Sequence, residues 1–257
     1  MDVFESIKET IKYAQKYGGE LNEEQLFERL IGNTVYNRDE IRELIKKTIR
    51  LPILPESTSL DREALIKTKK AEELAKEISK NFKDILFLGI TGSVAAGSPK
   101  KNSDIDLMII TKANKLWINR LKLRWFITRN KIPHRKPEIR EKSDEFCFNL
   151  WLDEKSLSLK KEKRTLKNAV DLILIKPLIN RNRTYEKFIS ANDWAKEFVA
   201  TGYSLKQIVP LRETSLLRKN TLLDKVINLV VFWPQFWYMK GKIKNEKVGL
   251  HEAFFHH

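Results

Sequence analysis

Residues 85–90, Ile-Leu-Phe-Leu-Gly-Ile, constrain this chain more than any other stretch. Six such positions in a row are too few for a core helix and suit a strand buried on both faces. A strand covered on both sides needs a layer above and a layer below, so the chain must build a sheet flanked by helices. Two further segments offer partner strands. Residues 103–111, Ser-Asp-Ile-Asp-Leu-Met-Ile-Ile-Thr, alternate polar and apolar at the start, and residues 145–153, Glu-Phe-Cys-Phe-Asn-Leu-Trp-Leu-Asp, alternate again. Helical spacing fills the rest: a charged helix over 61–82, a basic helix from Asn114 through Trp117, Leu121, Leu123 and Trp125, and helices over 165–180, 183–200 and about 214–241. This order predicts an α/β (α+β) core with a mixed sheet and helical flanks.

The N-terminal part reads differently. Val3, Ile7, Ile11 and Ala14 recur at helical spacing until Gly18 and Gly19 stop the helix. Asn22 with Gln25 forms a capping-box pattern that opens a second helix, and Asn37 with Glu40 repeats it for a third carrying Ile41, Leu44, Ile45 and Ile49. Pro52 and Pro55 then break the chain. Three short helices with a strand pair after them are the outline of a winged-helix module, better suited by its charge to a structural or protein contact than to DNA. The expected division is a winged-helix-like module over 1–56, a core over 57–180 and a C-terminal helical region over 181–257.

Charge separates these parts as well. The 257 residues carry 49 Lys and Arg against 34 Asp and Glu, a formal +15. Residues 1–84 hold 16 basic and 17 acidic side chains, so the whole excess lies beyond Asp84. Over 112–140 ten basic residues, among them Arg120, Lys122, Arg124 and Arg129, face only Glu138. Such a field favours polyanions: nucleic acid, nucleotide phosphates or an anionic membrane. Trp117 and Trp125 among these cations either stack on bases or pack the helix on the sheet. A single cysteine, Cys147, cannot form an internal disulfide, and the charged start has no apolar signal core, so a cytoplasmic location is expected. Residues 226–239 are apolar and aromatic, but Asn228, Pro234 and Gln235 interrupt them and they fall short of the ~20 residues that span a bilayer. Core packing is the expectation there, with interfacial membrane contact beside Lys240, Lys242 and Lys244 as the alternative. The four histidines lack zinc-ligand spacing.

The chemistry-bearing residues lie between the first two strands. Gly92-Ser93 follows the apolar run directly, and Ser103-Asp104-Ile105-Asp106 opens the next strand. Residues two apart on a strand share a face, so Asp104 and Asp106 present adjacent carboxylates that a divalent cation would neutralise. Mg²⁺ suits them, being held commonly by one or two carboxylates plus substrate phosphates. Backbone N–H groups of the Gly-Ser turn, with the Ser93 hydroxyl, can hold phosphate oxygens, and Gly92 lets the backbone come close. Ser103 either caps a turn or touches the nucleotide.

Gly-Ser, a ten-residue interval and Asp-x-Asp between apolar residues together resemble the signature of the nucleotidyltransferase superfamily related to DNA polymerase beta. The nearest variety is the minimal nucleotidyltransferases, including uncharacterised ones with a winged-helix-like N-terminal region, and the likeness covers about residues 85–153. The resemblance implies a mixed sheet, two Mg²⁺ ions for which Mn²⁺ can substitute, and transfer of NMP from an NTP such as ATP to a hydroxyl with release of pyrophosphate. Gly92 and Ser93 would bind the triphosphate, and Asp104 and Asp106 the metals. The family's third carboxylate, on a later strand, has no plain counterpart: Asn149 fits by position, Asp153 by chemistry, and Glu145 shares their face. Two alternatives to an active enzyme acting on RNA follow: a catalytically reduced fold that binds RNA, and a protein-modifying, AMP-transferring toxin or regulator.

Overall fold

The computed structural model describes residues 1–17, 19–48, 59–135, 144–206, 221–241 and 247–255. Among them the elements run α1 (Val3–Lys16), α2 (Glu23–Glu28), α3 (Arg38–Thr48), α4 (Ser59–Asn81), β1 (Ile85–Ile90), α5 (Gly92–Ala95), β2 (Ile105–Thr111), α6 (Leu116–Arg129) and β3 (Phe146–Asp153). They continue with α7 (Leu166–Leu174), β4 (Lys176–Asn180), α8 (Thr184–Ser190), α9 (Lys196–Leu205), α10 (Leu222–Lys240), β5 (Lys247–Val248) and β6 (Glu252–Phe254). The six strands form one mixed sheet in the order β4-β1-β2-β3-β6-β5. Only β2 and β3 pair in parallel, and every other neighbouring pair is antiparallel.

All six residues of β1 are buried, as a central strand requires. One face of the sheet, through Ile85, Leu88, Ile105, Leu107, Ile109 and Trp151, packs against α4, α6 and α10. The other, through Phe87, Met108, Ile110 and Leu152, packs against α7, α8 and α9. The result is helix, sheet, helix, the layering that two apolar sheet faces demand.

The capping box of Asn22 with Gln25 is present, and α1 to α3 gather a cluster of their own around Ile7, Leu26, Leu30 and Ile41. This cluster is tied to α9. The Gly32 amide donates to the Phe198 carbonyl at 2.7 Å and the Ala200 amide to the Gly32 carbonyl at 2.8 Å. A Cβ at Gly202 would come within 2.0 Å of the Glu28 carbonyl oxygen, so only glycine permits this approach of α9 to α2. The strand pair expected around Pro52 and Pro55 lies outside the described residues, as do Gly18, Ile49 and the start of the 214–241 helix.

Elsewhere the elements differ from the sequence expectation. The helix expected over 165–180 ends at Leu174, and residues 176–180 form the edge strand β4. Pro177 explains the switch: it disfavours a helical residue before it and is tolerated where a strand has an open edge. The single helix expected over 183–200 is two, α8 and α9, parted by a short 3₁₀ turn at Asp193–Ala195. Asn114 does not cap α6; its φ is +59° and Lys115 precedes the first turn. The β5–β6 hairpin had no sequence expectation at all.

Candidate active site

The site forms where β1 ends and β2 begins. These strands are antiparallel, so the turn after Ile90 lies beside the start of β2, and the Thr91 amide donates to the Asp106 carbonyl at 2.9 Å. Gly92 opens α5 with φ +64°, a left-handed conformation that side chains rarely adopt. A Cβ there would sit 2.4 Å from Asp106 Oδ2, so the bare Cα of the Gly-Ser turn rests on the carboxylate. The two halves of the sequence motif are in contact.

The third strand approaches from the other side. Asp106 is level with Cys147 on β3, but Met108 is level with Leu150, so β3 carries an extra residue between them. This bulge lets Asn149 Nδ2 donate to Asp106 Oδ1 at 2.8 Å. Bulges commonly re-aim a side chain beside an active site. Past it, the faces of β3 are exchanged relative to simple alternation. Asp153 is therefore level with Thr111 at the far end of the strand, on the opposite face from Asp106. There it is fully buried, accepting from the Asn114 and Lys155 amides at 2.8 and 2.9 Å and contacting His251 Nδ1 at 2.7 Å. Asp153 thus lies outside the cluster, and the expectation that it shares a face with Asn149 fails because alternation takes no account of a bulge.

Asp104 is buried, and Arg135 Nη1 donates to its Oδ2 at 3.0 Å. Ligand atoms of Asp104, Asp106 and Cys147 all lie within 4.8 Å of one another. Burial, followed by the charges of Asp106 and Asp104, pushes the Cys147 thiol far up, so it stays protonated and is no metal ligand in that state. The oxygen donors fit a hard divalent cation better. Asp104 and Asp106 supply two carboxylates, and Asn149 Oδ1 is buried without a partner among the described residues. An unsatisfied buried oxygen bonded through its own amide to Asp106 is the kind of group that a bound ion would satisfy.

From this cluster an open cleft extends across the face of the sheet that α7 covers. Gly92, Asp106 and Asn149 line one end, and Lys163, Lys167 and Asn168 line another part of the wall. Lys167 is paired with Asp171 at 2.7 Å, and the Asn168 amide donates to the Lys163 carbonyl at 2.6 Å. Sequence reasoning missed these lysines. Their signal was the basic run Lys160, Lys161, Lys163, Arg164 and Lys167 leading into the first turn of a helix, which becomes meaningful only once α7 is known to cover the cleft.

The remaining candidates divide. Ser93 is half-buried in α5 beside Gly92, with its carbonyl accepting from the Ser98 amide at 3.0 Å. Ser103 caps a turn, its hydroxyl donating to the Lys100 carbonyl at 2.7 Å. Glu145 stands before β3, its carbonyl accepting from the Ile105 amide at 2.9 Å. Arg120 is no surface cation: Nη1 donates to Gln235 Oε1 at 2.8 Å, it stacks on Phe255, and burial lowers it to about 10. Lys122, Arg124 and Arg129 are exposed on α6, and none of them lines the cleft. Trp117 is buried and Trp125 exposed, while Lys136, Glu138 and Arg140 lie outside the described residues.

The N-terminal helices reach the site too. Arg29 Nη2 donates to the Ala96 carbonyl at 2.6 Å, and burial lowers this guanidinium to about 10. Gln25 stands against Gly97, whose φ is +72°. The turn carrying Gly92 and Ser93 is thus braced from behind by α2.

Residues 72–184 match a family model described as Polymerase beta, Nucleotidyltransferase. This segment is related to the polymerase beta-like nucleotidyltransferase superfamily. The matched span runs from α4 to the start of α8 and contains β1 to β4, Gly92, Ser93, Asp104, Asp106 and Asn149, together with Lys163 and Lys167. Neither the curated proteins nor the solved structures compared with the chain gave a match. A nucleotidyltransferase domain implies a transferase with an NTP substrate and divalent-metal use as the family's habit. Among the described residues no helix is long and apolar enough to cross a membrane.

Proposed function

We propose that the protein is a Mg²⁺-dependent nucleotidyltransferase that moves NMP from an NTP to an acceptor hydroxyl and releases pyrophosphate. The observation that carries this is the contact of Gly92 with the Asp106 carboxylate, which joins the phosphate-binding turn to the metal-binding pair. Asp104 and Asp106 would hold the metal, with Asn149 Oδ1 available as a third oxygen donor. When bound, the metal supplies charge neutralisation at the transferring phosphate and activation of the acceptor hydroxyl. The acceptor hydroxyl gives its proton to water, its oxygen bonds to the α-phosphorus, the bond from that phosphorus to the bridging oxygen breaks, and pyrophosphate leaves with the electron pair. Backbone amides of the 92–93 turn and the Ser93 hydroxyl hold the triphosphate, and Lys163 and Lys167 offset its charge along the cleft wall. Arg135 neutralises Asp104 when no metal does. The acceptor class is RNA on this reading, supported only by the basic field beyond Asp84.

The test is transfer from each of four α-labelled NTPs with Mg²⁺ or Mn²⁺ to RNA, protein and small-molecule fractions, comparing wild type with Asp106→Asn. Label in one fraction, lost in the variant, is expected. Equal transfer by both proteins would remove the assigned site. The second reading, a catalytically reduced fold that binds RNA, is favoured by Asn149 in place of a carboxylate and by the Arg135–Asp104 pair. Under it no fraction takes label, and RNA binding weakens steeply with salt.

A further inference from the structure

We propose that the outer face of α10, with the adjoining side of α6, docks on an anionic lipid surface. Leu222, Val226, Val230, Trp233 and Trp237 recur at helical spacing along α10, and all are exposed, Leu222 at 78% and Val230 at 63%. The residues that hold the helix to the protein, Asn228 and Met239, lie on its other side: Asn228 Oδ1 accepts from the Trp117 amide at 3.0 Å. Val231 and Phe232 pack inward against the core as well, so the helix is apolar on both sides and its outer stripe is left uncovered. The stripe runs about 22 Å along the axis at 1.5 Å per residue. Leu121 and Trp125 of α6 add further exposed apolar surface. Exposed apolar surface of this extent marks an interaction site.

Charge selects the occupant. Within α6 and α10 the single carboxylate is Asp224, and Lys115 pairs it. Lys122, Arg124, Arg129, Lys225 and Lys240 are exposed on the same two helices, Lys240 standing 4.8 Å from the Trp237 ring and Arg129 5.2 Å from that of Trp125. A second copy would bring the same cations against these and be repelled. Nucleic acid would use the cations and the indoles, yet Leu222, Val226 and Val230 offer no ring for a base. An anionic bilayer interface takes everything on this face: aliphatic side chains at the acyl boundary, indoles at the headgroup level and cations against phosphate. The cleft opens on the other face of the sheet, so docking leaves it accessible.

The experiment sediments the full chain with phosphatidylglycerol–phosphatidylcholine vesicles and with pure phosphatidylcholine vesicles, and reads tryptophan quenching by brominated acyl chains. Retention on the anionic vesicles at least about tenfold above the zwitterionic ones, with quenching and loss at high salt, is expected. Val230→Glu, at an exposed position, should cut retention about tenfold without changing the melting temperature, and Lys240→Glu should weaken retention and lower its salt dependence. No retention, equal retention on both vesicles, or an unaffected Val230→Glu would overturn the proposal. So would a dimer in light scattering that Val230→Glu disperses, or RNA binding lost in that variant without vesicle retention. Nucleotidyl transfer is measured separately and should be the same in Val230→Glu and wild type, so failure here leaves the catalytic reading untouched.

Discussion

Asn149 decides how the candidate site differs from a pair of aspartates on a strand. Its amide nitrogen already bonds Asp106, so its oxygen is left buried and unsatisfied. A carboxylate at this position would repel Asp106 unless a cation stood between them. Asn149→Asp is therefore expected to lower the divalent-ion concentration for half-maximal transfer by about tenfold and to lower stability when metal is chelated. Metal titration of activity, alongside melting with and without chelator, reads both effects. Unchanged metal dependence would mean that Asn149 never meets the ion. Gly92 makes a second prediction at this scale. Alanine there must take φ +64° and place its Cβ against Asp106 Oδ2. We expect a cost of about 2 kcal/mol in stability and loss of transfer, measured by denaturant unfolding and the NTP assay.

At the scale of elements, the site depends on holding the entries to β2 and β3 side by side. Lys67 of α4 does this from a fully buried position: Nζ donates to the Ser103 carbonyl at 2.9 Å, the Lys101 carbonyl at 3.3 Å and Asp144 Oδ1 at 2.8 Å. Lys70 adds a second bond to Asp144 at 2.7 Å. Burial works to raise the Asp144 carboxyl, but bonds from Lys67 and Lys70 outweigh it and hold the group below its ordinary value. A depressed folded-state value means that this stabilisation is complete above the unfolded carboxylate's value near ~3.9 and is lost as pH falls through the folded one. The melting temperature should therefore drop through that acid window more steeply in wild type than in Asp144→Asn. Lys67→Met should cost about 1–3 kcal/mol by leaving carbonyls unsatisfied, and identical acid profiles for wild type and Asp144→Asn would remove the clamp. None of this was legible in the sequence, where Lys67 is one of six basic residues in a charged helix. What was legible is what depends on local pattern: β1 from six buried positions, the Gly-Ser turn, the closeness of the Asp104 and Asp106 carboxylates, and the cap at Asn22. What was not legible depends on register or on distant packing. The β3 bulge parted Asn149 from Asp153, α10 buried Arg120, and α7 with the turn before it brought Lys167 and Lys163 to the cleft wall.

Over the whole molecule, the N-terminal helices raise the question of whether residues 1–56 are a module that folds by itself. Their charge balance and separate cluster suggest so, but their contacts argue for joint folding. Arg29 spans from α2 to the Ala96 carbonyl in the turn that carries Gly92 and Ser93, Gly32 bonds on both sides to α9, and Gly202 lets α9 press on the Glu28 carbonyl. Ile31 belongs to the same cluster as β1, β2 and α7 rather than to the N-terminal one. Removing these helices would expose that surface and leave the turn unbraced. The chain should thus unfold in one calorimetric transition, coincident by far-ultraviolet and tryptophan signals. Two resolved transitions, with the earlier one in the N-terminal helices, would restore the autonomous module. Arg29→Met separates bracing from bulk stability. It removes a buried bond to a carbonyl, at a cost of about 1–3 kcal/mol, and frees the turn on which the triphosphate is proposed to rest. A rise in the KM for NTP larger than the fall in kcat, at a temperature well below melting, is the expected signature of bracing. Equal loss of active protein with an unchanged KM would reduce Arg29 to a structural contact.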